Sequence, residues 1–128
     1  METQVSPVVE SANSPERARS RNVEIAAAEV ARLAELANYQ NGSVVSRILV
    51  RREKGNVTLF ASDEGQELSE HTAPFDALVY VLEGTTEIRI AAQTFSLSAG
   101  DVVLMPANRP HAVKAVSAFK MLLTMIRS

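Results

Sequence analysis

The chain carries two histidines, His71 and His111, and no cysteine. Imidazole can ligate a metal, move a proton near neutral pH, or orient a polar ligand with one donor and one acceptor. Without thiolates, any metal would have to rest on nitrogen and oxygen donors, and disulfides and a cysteine nucleophile are excluded. Two acids near the first histidine are the candidates for further ligand contacts. Strand alternation counted back from His71 puts Ser69 and Glu67 on its side of a regular strand. Asp76 would need a bulge, or a turn after Pro74, to aim inward. Other chemistries find little support: there is no G-x-S-x-G elbow, P-loop, dinucleotide fingerprint or HEXXH spacing. Paired-carboxylate chemistry among Glu64, Glu67, Glu70 and Asp76 stays open, although loop acids are usually just solvated.

The two histidines are far apart in sequence, so a shared site needs a fold that joins distant segments. At 128 residues the chain has room for one domain. Residues 1–21 mix Ser, Pro, Glu and Arg and are expected to form a flexible extension, with the domain proper over 22–128. Ala26, Val30, Leu33, Ala34 and Ala37 recur at helical spacing behind a candidate N-cap, Asn22, and predict one amphipathic helix over 23–37. After Gly42 short β-branched and apolar runs take over: 43–51, 56–61, 77–82, 86–91, 102–105, 112–116 and 119–126. Turn signals containing Gly, Asp, Asn or Pro separate them. Many short strands with no helical run between them predict an all-β sandwich or barrel. Runs such as VVSRILV and FKMLLTMI are apolar on both faces. One face should line the barrel and the other should meet the helix or a second subunit, so a homodimer is expected.

Two segments have spacings that go beyond general β patterning. One runs from Gly65 through His71 to Gly84, the other from Gly100 through Pro106 to His111. Here the chain resembles the cupin superfamily, whose motifs read G-x5-H-x-H-x3-E-x6-G and G-x5-P-x-G-x2-H-x3-N. Gly65, His71 and Gly84 match the first, and Gly100, Pro106 and His111 match the second. The glycines suit turns with positive φ, and Pro106 can end a strand without a ladder hydrogen bond. The resemblance covers about residues 38–127, most like small single-domain bacterial cupins. It implies a double-stranded β-helix (jelly-roll) barrel holding both histidines in its pocket.

The resemblance also implies a metal centre of three histidines and one glutamate, and there the match breaks. Ala73 stands at the second histidine and Ala77 at the glutamate. Asn108 and Ala115 replace a glycine and an asparagine of the second motif. Two functional readings follow. In one, His71 and His111, with Glu67 and Asp76 as candidate neighbours, bind a small molecule in the barrel. In the other, His71 and His111 hold a divalent metal, with Zn, Ni, Cu, Mn and Fe equally open, in a dioxygenase or isomerase with a reduced ligand set. Phe75, Tyr80, Met105, Met121 and Met125 read as core packing.

A formal net charge of −2 provides no basic field for nucleic acid or an anionic membrane. The pair Arg51-Arg52, beside Glu53, reads as solvated surface. No apolar run suits a signal peptide or a membrane span, and the expected location is the cytoplasm.

Overall fold

The computed structural model of the chain describes residues 24–127. The expected extension over 1–21 and the N-cap Asn22 lie outside these residues. The described chain is built from nine strands: β1 Val44–Arg52, β2 Gly55–Ser62, β3 Glu67–His71, β4 Asp76–Glu83, β5 Thr85–Ile90, β6 Gln93–Ser98, β7 Val102–Met105, β8 His111–Ala115 and β9 Phe119–Ile126. Most coincide with the predicted runs to within a residue or so. β3 and β6 are additional, and in QTFSLS only Phe95 and Leu97 carry the apolar alternation of β6.

Every pairing is antiparallel, in a five-stranded sheet of order β1-β2-β9-β4-β7 and a four-stranded sheet of order β3-β8-β5-β6. The inward faces of the two sheets pack on each other, as the alternation in β4 requires: Ala77, Val79 and Val81 are buried, while Leu78 and Tyr80 are exposed. Val79, Val81, Ile88, Phe119 and Met121 form the dry centre, each at most 1% exposed. Burial of each such side chain contributes about 1.5–3 kcal/mol. This is the jelly-roll arrangement expected from the motifs. No helix among the described residues is long and apolar enough to cross a membrane.

The expected helix over 23–37 is not found among its described residues, 24–37, where the one helical element is a 3-10 turn, Leu33–Glu35. Instead the segment lies as a strap on the outer face of the five-stranded sheet. Ile25 donates its N–H to the Leu49 carbonyl (3.1 Å), and Ala28 adopts φ 62°, which breaks any helix. Lys120 Nζ donates to the Ala34 carbonyl and Arg47 to that of Leu36. Ala37 is buried with Leu49, Leu59 and Ala61, and Leu33 and Leu36 pack against them. A helix this short is marginal alone, so side-chain donors on the sheet that take up its carbonyls outweigh its helical periodicity.

Candidate functional site

The two histidines meet because β3 ends where β8 begins. His71 and His111 are cross-strand partners, and their rings make a T-shaped contact with centroids 4.4 Å apart and planes at 67°. His71 Nδ1 lies 2.9 Å from the Ser69 carbonyl oxygen and His111 Nδ1 lies 3.2 Å from that of Arg109. A carbonyl only accepts, so each Nδ1 carries the hydrogen and, in the neutral ring, each Nε2 keeps its lone pair. Burial, reinforced by the neighbouring His71, pushes His111 below the ordinary histidine range against the smaller opposing effect of the Arg109 carbonyl. His111 is therefore an uncharged acceptor at pH 7.

The register of β3 against β8 shifts between Leu68 and His71. This bulge inverts the alternation on which Glu67 had been placed beside His71. Leu68 faces the pocket with His71, whereas Glu67 is exposed opposite Lys114 and does not line it. Asp76 is likewise outside the pocket. Its Oδ1 accepts the Ala107 N–H at 2.9 Å, and the Asn108 N–H binds the Ala73 carbonyl at 2.8 Å, so Asp76 helps hold the loop leading into His111. Asn108 has φ 64°, which asparagine tolerates in place of the motif glycine.

Between the sheets and open at the histidine end is a cavity of about 340 Å³. Its body is apolar: Ile48, Phe60, Met105, Met121, Leu123 and Met125 line it, and Phe75 and Ala77 border it. Of the aromatic and methionine residues read as core packing, Tyr80 alone faces outward, at 42% exposed. Polar groups come from opposite walls, His71 and His111 on one and Ser46, Asn56, Thr58 and Arg51 on the other.

Arg51 is exposed, as the sequence reading expects of the Arg51-Arg52 pair, but it also lines the cavity. A register shift in β1 between Ile48 and Val50 reverses the parity of the strand beyond Leu49. Ser46, Ile48 and then Arg51 consequently face the pocket, with Arg51 opposite Asn56. The Arg51-Arg52 pair is split across the sheet: Arg52 stays outside and pairs with Glu24 at 3.3 Å. The Arg51 N–H and the Arg52 guanidinium hold the Glu24 carboxyl below the usual carboxylate range. Arg51 and Asn56 are pocket residues that sequence reasoning missed: nothing in the string of residues marks the β1 bulge that turns Arg51 inward, and Asn56 faces the pocket by the regular alternation of β2 with Thr58 and Phe60.

The cupin resemblance implies a bound metal, and the donor set can be tested against it. Ala73 and Ala77 both lie on the pocket wall, so the positions that would complete a four-ligand centre present methyl groups. Among the described residues no group of three or more His, Cys, Asp or Glu stands where it could hold a metal ion. Two imidazoles fall short of the three or four protein ligands of ordinary zinc sites, and the residues present do not fit the full centre.

Fold and pocket together define a jelly-roll barrel with an internal cavity. Comparison with known families agrees: the model of the cupin domain matches residues 58–127, and the chain belongs to that family. A conserved protein of unknown function from Streptococcus pyogenes is 38% identical, with a TM-score of 0.78 over 83% of this chain and 93% of that one. A cupin superfamily protein from Desulfitobacterium hafniense is 26% identical, with a TM-score of 0.77 over 83% and 97%. A cupin 2 conserved barrel domain protein from Leptotrichia buccalis is 40% identical over 74% of this chain, which spans 46% of that protein (TM-score 0.72). No curated protein matches the chain.

Proposed function

We propose that this cupin binds a small organic molecule in its barrel, with the His71 and His111 imidazoles as polar anchors at one wall of an apolar cavity. The observation that carries this reading is the cavity itself. At about 340 Å³ it has the size and composition of small-ligand sites, mostly apolar with a few convergent polar groups. Glu67 and Asp76 are dropped from the proposed site, since neither lines the cavity.

One observation favours the second reading, a metal-dependent enzyme of dioxygenase or isomerase type. Anchoring both Nδ1 atoms on carbonyls while leaving both Nε2 atoms free is how metal-ligating histidines are usually held. Elemental analysis of the purified protein and of a His71→Ala, His111→Ala variant separates the readings. The small-molecule reading expects no stoichiometric metal in either protein. Close to one equivalent per chain, lost in the variant, would instead establish the metal centre.

The domain is taken to span 22–128 and its location to be cytoplasmic, supported by the cysteine-free composition. A homodimer is supported by the outer face of the five-stranded sheet. Leu78 pairs with Leu104 and Tyr80 with Val102, and these four side chains, each 41–56% exposed, form one apolar patch beside the short edge strand β7. Sedimentation at micromolar concentration is expected to give a dimer that Leu104→Glu converts to monomer. A wild-type monomer would remove the proposal.

A further inference from the structure

Resting on the small-molecule reading above, we infer that the ligand is a small monocarboxylate with an apolar body, its carboxylate held by Arg51 and Asn56 at the mouth of the barrel. The first reason is charge. Arg51 puts a permanent positive charge on the pocket wall, and among the described residues no Asp or Glu lines the cavity. Three acids close to this end have other partners. Glu24 accepts from the Arg51 N–H and forms its ion pair with Arg52, at 3.3 Å. Glu70 pairs with Arg89 at 3.0 Å, and Asp76 accepts from the Ala107 N–H. Arg127 adds a second positive charge at the same end, its guanidinium 5.0 Å from the Phe75 ring centroid.

The second reason is donor geometry. Arg51 and Asn56 are directly opposed across β1 and β2. The Thr58 hydroxyl donates to Asn56 Oδ1 at 2.9 Å, which occupies the amide oxygen and leaves the NH2 group to donate. A guanidinium fork and an amide NH2 on one wall suit the two oxygens of a carboxylate. A bound carboxylate would exchange hydration of the exposed guanidinium for a bidentate pair beside an apolar wall.

The third reason is the rest of the cavity. Phe60, Met121 and Leu123 line its interior and offer contact surface to an aromatic or branched aliphatic body. A sugar would leave those walls unused, and an amine would meet Arg51 with like charge. The imidazole pair on the facing wall is free to accept from a hydroxyl carried by such an acid.

Isothermal titration of the full chain with 3-phenylpropionate, 3-phenylpropanol and 3-phenylpropylamine tests this. The acid should bind roughly tenfold or more tightly than the alcohol, and the amine most weakly. In Arg51→Gln, with folding verified by thermal melting, the acid-to-alcohol ratio should fall to near one. Equal affinities for acid and alcohol in the wild type, or an unchanged ratio in the variant, would overturn the carboxylate inference and leave the pocket reading standing. Binding of none of the three, with methionine methyl NMR signals unmoved, would overturn both.

Discussion

Replacing Gly84 with alanine is expected to destabilise the protein by about 3 kcal/mol or more, the largest effect of any single methyl group added to a motif glycine. Gly84 has φ 81°, a region that costs an L-residue about 1–2 kcal/mol. A Cβ there would also sit 2.1 Å from the Ala118 carbonyl oxygen and 2.6 Å from Phe119 Cβ. Phe119 is 1% exposed at the barrel centre, so the neighbour cannot yield without disturbing the core. Gly100 separates the two contributions. Its φ is 95°, yet an added Cβ meets nothing within 4 Å, and Gly100→Ala should cost only the conformational part, about 1–2 kcal/mol. Urea unfolding of the two variants checks the difference. Equal losses would mean that close approach at the β4–β5 turn is not what demands glycine.

The second large effect is a gain. Ala73→His combined with Ala77→Glu should raise the affinity for zinc by roughly two orders of magnitude or more, because both side chains would enter the cavity already bordered by His71 and His111. Ala77 is 4% exposed, so a glutamate there is a buried carboxylate lacking a partner until metal arrives. The metal-free variant should therefore melt below the wild type and recover on addition of zinc, while the wild-type melting temperature moves little. Calorimetric titration gives the affinities directly. A variant that folds but gains no affinity would show that the two alanine positions do not converge with the imidazoles.

The pocket's composition depends on two register shifts. In β3 the bulge removes Glu67 from the interior and places Leu68 there. In β1 it brings Arg51 in. The β3 shift removes a negative charge from the site that simple alternation would build, and the β1 shift exchanges Arg52 for Arg51 at its rim.

Much of the barrel was legible in the residues alone. Short β-branched runs and the turn residues between them located most strands, since period-two burial and positive-φ glycines are local requirements. Gly65, Gly84 and Gly100 do adopt φ of 84°, 81° and 95°. The spacing of His71 and His111 within two motifs marked one pocket, because the motif fixes how far each residue lies from its turn. Tertiary structure decided the rest. The segment over 23–37 has helical periodicity, but Arg47 and Lys120 on the sheet take up its carbonyls and hold it as a strap. Side-chain parity is readable from sequence only while a strand's register is unbroken. A bulge changes that parity, and whether one forms depends on the partner strand, which is why Glu67 was expected beside His71 but lies outside the cavity, and why Arg51, exposed as expected, also lines it.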